Sequence, residues 1–292
     1  MKQDAIMHVS DALRCPCCAS PMTLLGGSLV CVPQGDGKRH CFDIAKSGYV
    51  NLDTTHAGGG DGKELVRART AFLESGAYRP ISDGVNDLLG QYAAHGLVID
   101  AGCGEGYYTN RAAAMHRGSC FLGFDLSKSA IDAAARSASR TQSGAAFAVA
   151  GIFDLPVADA SATAILNLFA PCAEAEFSRV LCDGGILILV GAGEDHLFGL
   201  KKAVYDVPYK NAVRADLPRG MELLREHRIS YTAHLSSNEQ IRALFSMTPY
   251  AFRTSREDMA KLDAIEALDT EVDVTVSVYR KSEKSISPIY NF

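Results

Sequence analysis

The chain has 292 residues, 47% of them hydrophobic, and a formal net charge of −5. That length holds one full α/β domain plus something smaller, and the net charge gives no global pull toward nucleic acid, so such contacts must come from local basic patches. No apolar run approaches the ~20 residues of a membrane span, and Met1-Lys2-Gln3-Asp4-Ala5 lacks the apolar core of a signal peptide, a composition expected of a soluble cytoplasmic enzyme.

Five of the nine cysteines fall within residues 15 to 41. In a cytosolic chain such clustering points to a metal before disulfides. Cys15 and Cys18 form a C-x-x-C pair, and Cys31, His40 and Cys41 follow. Between them, Met22 to Val30 reads as two short strands around a Gly26-Gly27 turn, the layout of a zinc ribbon. About 45 residues bury little core, so a bound metal supplies the missing stability. The expected ligands are Cys15, Cys18, Cys31 and His40, and the zinc is structural because four protein ligands leave no open position. Eight residues separate Cys31 from His40, where a tight knuckle has about two to five. Gly35-Asp36-Gly37-Lys38 must then be a loop insertion, and Cys17 or Cys41 could replace one of the four. Reduced, buried thiols are the metal-free alternative.

After the ribbon, Thr54 to Lys63 carries a glycine run and reads as a linker or lid. Glu64 to Ser75 is expected to be a helix bearing Arg67 and Arg69, with a second helix over 83–94. Strands are expected at 97–101, 120–124, 145–149, 163–168 and 184–190, and helices near 107–117, 128–138 and 173–181. The apolar runs are short and nearly continuous, as in parallel strands covered on both faces. The fold class is therefore α/β, with an open Rossmann-like sheet. Val272 to Tyr279 alternates strictly and predicts a half-exposed antiparallel strand.

The first of these strands ends in Asp100 and breaks into Gly102-Cys103-Gly104-Glu105-Gly106. Glycines let the backbone turn sharply there and lie close against a nucleotide-like ligand. The spacing is G-x-G-x-G, not the dinucleotide G-x-G-x-x-G, and no Lys-Ser/Thr follows as in a phosphate-cradling loop. An acidic residue before the glycines suits the amino group of S-adenosylmethionine better than a pyrophosphate. The second strand ends in Asp125, about 20 residues on, where a carboxylate can take both ribose hydroxyls. Nicotinamide enzymes use such a carboxylate too, and Asp125 could instead cap the following helix, a role open also to Ser127. Ile152 and Leu155, beside Asp154-Leu155-Pro156, could wall an adenine ring. Phe169-Ala170-Pro171-Cys172 follows the fourth strand, at the edge where a methyl acceptor must lie.

Several stretches together resemble one family, the bacterial 23S ribosomal RNA (guanine-N1)-methyltransferases. They are Cys15-Pro16-x-Cys18, the block from Phe42-Asp43 to Val50-Asn51-Leu52, and Arg69-x-x-Phe72-Leu73-x-x-Gly76-x-Tyr78-x-Pro80. Gly102 to Thr109, Ala170-Pro171-Cys172 and Met247-Thr248-Pro249 extend the resemblance over most of the chain. It implies a zinc-ribbon RNA-recognition module at 1–52, a linker with helices at 53–94, and a class I S-adenosylmethionine-dependent methyltransferase domain at 95–292. It further implies methylation of one guanine in a hairpin loop of 23S rRNA at the peptide exit region, macrolide resistance in one branch, and homodimers in some members. By matching position, Tyr78 closes over the cofactor, Gly104 and Glu105 touch its methionine part, and His196 lies near it. The expected cofactor set is Tyr78, Asp100, Gly102, Gly104, Glu105, Gly106, Asp125 and His196. From the residues alone, Tyr78 is a core aromatic and His196 a loop histidine.

Methyl transfer to guanine N1 is an in-line displacement at a sulfonium carbon, in which orientation supplies much of the rate. A general base for the N1 proton and donors at O6 would add to it, and the sequence assigns neither. Cys172 is not needed as a nucleophile. Candidate phosphate contacts are Lys38, Arg39, Lys46, Arg67, Arg69, Lys201, Lys202, Lys210 and Arg214, with solvated surface charge as the alternative for each. A small-molecule methyltransferase would explain the glycines and Asp125 but leave the ribbon idle. A non-catalytic ribbon adaptor is opposed by the intact Asp100, glycines and Asp125, and a nicotinamide oxidoreductase by the glycine spacing.

Overall fold

The computed structural model describes residues 4–32, 37–55, 61–93, 95–213 and 218–282. The amino-terminal part runs α1 (Asp4–Met7), β1 (Met22–Leu25), β2 (Ser28–Cys31), β3 (Cys41–Asp43) and β4 (Val50–Asn51). Two helices, α2 (Lys63–Glu74) and α3 (Arg79–Tyr92), lead into an alternating body. That body is β5 (Gly96–Ala101), α4 (Tyr107–Met115), β6 (Ser119–Asp125), α5 (Lys128–Thr141), β7 (Ala146–Val149), β8 (Ala162–Leu168), α6 (Glu174–Val180) and β9 (Leu181–Ala192). It ends with α7 (Phe198–Val204), β10 (Met221–Leu235), α8 (Asn238–Ser246), α9 (Arg256–Ala260) and β11 (Leu268–Lys281).

The ribbon hairpin forms as its turn chemistry dictates. Gly26 and Gly27 both take positive φ, +58° and +90°, and close Leu25 onto Ser28. The main sheet has eight strands in the order β10-β11-β9-β8-β5-β6-β7-β4. Pairing is parallel from β4 through β9 and antiparallel where β11 enters between β9 and β10. The central strands are apolar on both faces because both are covered. One face packs under Leu89, Ile131 and Ile241 from the helices. The other carries Ile6, Leu13, Cys15 and Leu29 of the ribbon against Ile99, Leu122 and Phe124. The ribbon therefore shares that face with α6, whose Phe177 and Val180 belong to the same core. It is hooked there by an antiparallel bridge from Leu13 to Val157 and an Arg14 N–H to Pro156 carbonyl bond of 3.1 Å.

One expectation about the carboxyl-terminal strands needs correction, and one strand was not anticipated. β11 is not half-exposed: it lies inside the sheet, and Val272, Val274, Val276 and Val278 are all fully buried. Its other phase is largely covered too: Asp273 and Ser277 are buried, and Tyr279 packs into the ribbon-side core. The unanticipated strand is β10, an edge strand with no apolar periodicity because both of its faces are largely wet. The linker stretch 56–60, the loop residues Gly35 and Asp36, and Arg214 lie outside the described residues.

Candidate active site and metal cluster

The β5 strand delivers Asp100 to the carboxyl edge of the sheet, and the chain then turns through the glycines into α4. Gly102 takes φ +88°, and a Cβ there would lie 2.7 Å from Ala170 Cβ, so the turn is pressed against the segment after β8. The amides of Gly102 and Cys103 both bond the Phe124 carbonyl at 2.9 Å, and Gly104 N–H bonds Asp125 Oδ2 at 3.0 Å. Asp125 Oδ1 accepts the Ser127 amide at 2.8 Å. Ser127 Oγ caps α5 by accepting from Ala130 N–H, which settles the capping question in favour of Ser127. Asp125 keeps about half of its four lone-pair sites for something else.

A cavity of about 640 Å³ opens over this edge, at the scale of a small-ligand site. Asp100, Gly102, Gly104, Glu105, Asp125, Tyr78 and His196 all line it, so seven of the eight expected residues share one space. Gly106 is not on that wall. Its φ of +75° starts α4, and its Cα packs where a Cβ would meet Ala134 and Phe147 at 2.7 and 2.9 Å. Ile152 lines the cavity as expected, whereas Leu155 is buried elsewhere in the core.

The carboxylates are held in a buried, acidic environment. Burial pushes Asp100 up to about 7, with the Asp125 charge adding and the Thr109 hydroxyl, 2.6 Å from Oδ2, opposing. Burial likewise raises Glu105 to about 7 against the pull of Arg69, 3.6 Å away. It raises Asp125 against the two amides that bond it. Arg69, expected as a phosphate contact, is instead built into this wall between Asp61 and Glu105.

On the opposite wall, Tyr78 Oη stands 3.3 Å from His196 Nε2. His196 Nδ1 accepts the Asp273 backbone N–H at 3.2 Å. The neutral tautomer thus carries its proton on Nε2, and burial lowers the imidazole to about 4. Asn211, which sequence reasoning missed, donates to the Gly193 and His196 carbonyls at 3.0 and 2.8 Å and fixes the loop. Asn211 is in turn held by Lys201 Nζ at 2.6 Å. Lys201 was expected at an RNA surface and is 1% exposed. An amide fifteen residues beyond the histidine, itself placed by a buried lysine, has no local sequence signature. Lys38, Arg39, Lys46 and Arg67 are exposed, while Lys202 and Lys210 face Glu271 and Asp195 at 3.8 and 3.1 Å.

The second centre lies in the ribbon. The ligand atoms of Cys15, Cys18, Cys31 and His40 all fall within 4.8 Å of one another. His40 Nδ1 is 3.6 Å from Cys15 Sγ and 3.5 Å from Cys31 Sγ. Those separations suit a tetrahedron of roughly 2.0–2.3 Å metal–ligand bonds, whose edges are about 3.5–3.8 Å. The eight-residue gap is spanned by strand pairing, not by a knuckle. Cys31 N–H bonds the His40 carbonyl at 3.0 Å where β2 meets β3, so the two residues are cross-strand neighbours. Cys17 and Cys41 are exposed and stand outside the cluster.

Comparison with known proteins matches both parts of the chain. Residues 13–53 match the zinc-ribbon family described as "RlmA, N-terminal", and residues 98–185 match one described as "Methyltransferase domain". A 23S rRNA (guanine(748)-N(1))-methyltransferase of Streptomyces fradiae is 31% identical, over 93% of this chain and 96% of its own. YxjB of Bacillus subtilis, which bears the name of a 23S rRNA (guanine-N(1)-)-methyltransferase, is 31% identical over 92% and 96% of the two chains. A Micromonospora griseorubida protein named in the same way is 34% identical over 95% and 97%.

Proposed function

The chain belongs to the 23S rRNA (guanine-N(1))-methyltransferase family, and from that premise we propose that it methylates N1 of one guanine in a hairpin loop of 23S rRNA. S-adenosylmethionine is the donor. Residues 1–52 act as the RNA-recognition ribbon, 53–94 as the connecting segment and 95–292 as the transferase, in the cytoplasm where its substrate is made. Association into homodimers belongs to the same reading and is open to sedimentation analysis.

The observation that carries the proposal is the single cavity that crosses the glycine turn. In the sheet order, Asp125 and Ile152 stand to one side of β5, and Phe169 and His196 stand to the other. One side suits a nucleoside and the other an acceptor. The donor set fits the cofactor: the buried carboxylates of Asp100, Glu105 and Asp125 line the cavity and suit a cationic ligand. Asp125 would take the ribose hydroxyls, Asp100 the amino group, and the turn at Gly102 and Gly104 would lie against the methionine portion. Ile152 would wall the adenine, and Tyr78 and Glu105 would close around the remainder. The cofactor supplies an electrophilic methyl group on a sulfonium centre.

The protein's own contribution is orientation and exclusion of water. Tyr78, Phe72 and the Asn211-pinned loop make a fixed wall for the acceptor side. His196 is part of that wall and not a proton acceptor, because Nδ1 already holds an amide and Nε2 bears the proton. Zinc would be held by Cys15, Cys18, Cys31 and His40 and would stiffen the ribbon against the sheet, with no position free for chemistry. Incubation with S-adenosylmethionine and 23S rRNA, followed by nucleoside mass spectrometry, tests the proposal. 1-Methylguanosine is expected. Methylation at another base atom, or of small molecules only, refutes it.

A further inference from the structure

Phe169 combines three features that no packing requirement accounts for. It is 43% exposed although it sits on the cavity wall. It holds φ at +53°, a left-handed conformation that costs a non-glycine residue about 1–2 kcal/mol. One face of its ring lies nearly parallel to His196, with centroids 5.9 Å apart and planes at 17°. Tyr78 backs the pair at 6.3 Å.

The turn that presents this ring is tightly fixed. Phe169 N–H bonds the Val190 carbonyl at 3.0 Å, and Asn167 Nδ2 bonds the carbonyls of Ala101 and Pro171 at 2.9 and 3.2 Å. Ala170 presses on Gly102. The ring is thus held relative to the glycine turn on which the donor would lie. His196, neutral and bonded at both nitrogens, gives it a rigid backing. Phe169 also stands across β5 from Asp125, away from the nucleoside side.

We propose that Phe169 is the stacking platform for the acceptor base: its inner face rests on His196 and its outer face takes the guanine turned out of the RNA loop. The inference rests on the proposed function and adds a residue that selects a planar acceptor. Bases recognised outside a helix are commonly stacked on aromatic side chains, and an exposed ring on the wall of a ligand-sized cavity is placed for such a partner. The strained backbone is tolerated because Asn167 and the Val190 carbonyl hold it.

The test compares F169L, F169Y and F169W in the full chain. All keep a side chain at the same φ, and leucine preserves bulk without a π face. Affinity for S-adenosylhomocysteine and Tm are expected to stay at wild-type values in all three. For 23S rRNA, F169L is expected to lose roughly 10- to 100-fold in kcat/KM, with tyrosine and tryptophan restoring it. A hairpin carrying 2-aminopurine at the target position gives a second readout. Its fluorescence should be quenched in the wild-type complex and bright with F169L. An active wild type whose F169L variant keeps both kcat/KM and the quench overturns the platform alone. A wild type that binds cofactor but transfers nothing to rRNA overturns the functional reading, and the platform with it.

Discussion

Asp100 makes cofactor affinity depend on pH in a direction the structure fixes. Burial holds its carboxyl near 7 in the ligand-free protein, so about half is protonated at neutral pH. A cationic amino group placed against it favours the ionised form. Binding should therefore release about half a proton from this residue at pH 7. The ionised fraction falls from about three quarters at pH 7.5 to about 3% at pH 5.5, so affinity should weaken about 25-fold over that range from Asp100 alone. For folding the sign is opposite. The folded pKa lies above the unfolded value, so this group's contribution to stability is complete below about pH 4 and is lost as pH rises through 7. D100N retains an oxygen for the Thr109 hydroxyl while removing the charge. It should bind S-adenosylhomocysteine, which keeps the ammonium, more weakly, with a flatter pH profile. It should also melt higher than wild type at pH 8 without ligand. Calorimetry in two buffers of different ionisation enthalpy measures both affinity and proton release. Wild-type affinity constant within twofold from pH 5.5 to 7.5, with no proton released, would refute the placement of a cation at Asp100.

Other outcomes follow from the same geometry. D125A removes an ionised acceptor for two hydroxyls, each worth about 1.5–3 kcal/mol, so cofactor should bind roughly 100-fold or more weakly; an affinity within threefold of wild type contradicts the ribose assignment. C31S should lose bound zinc by elemental analysis while C17S keeps it. Because the ribbon shares a core with the sheet, chelation should lower the melting point of the whole chain, and a retained melting point would contradict structural coupling. In G106A, the left-handed φ and contacts of 2.7 and 2.9 Å should cost about 2–5 kcal/mol. A fall in Tm on the order of 10 °C should follow, and an unchanged Tm would show that α4 tolerates a different start.

The parallel strands and their glycine turn were readable because burial on both faces leaves near-continuous apolar runs, and because Asp100 and Asp125 mark strand ends. β10 was not readable: with Glu222, Arg225, Glu226 and Arg228 spread over both phases, an edge strand wet on both faces has no period to detect. The alternation of β11 was visible, but cover over its polar phase comes from segments distant in sequence, such as the loop after β9 whose Asp195 N–H bonds Asp273 Oδ2 at 3.1 Å. Spacing rules worked for Cys15 and Cys18 and stalled at His40, because cross-strand pairing sets that distance and not the length of the intervening loop. His196 and Tyr78 were found through family resemblance alone. The Lys201–Asn211 support could not be, since nothing local marks a buried lysine that braces a loop. Arg69 and Lys201 looked like surface cations, but packing half-buries Arg69 in the cavity wall and buries Lys201.

The most direct test of the account is primer extension across 23S rRNA incubated with the purified protein and S-adenosylmethionine. A methyl group on guanine N1 blocks Watson–Crick pairing and halts reverse transcriptase. One new stop, at a guanine in a single hairpin loop and absent when the cofactor is omitted, is the predicted result. No new stop on naked RNA or on ribosomal particles, from a protein that demonstrably binds the cofactor, would contradict it.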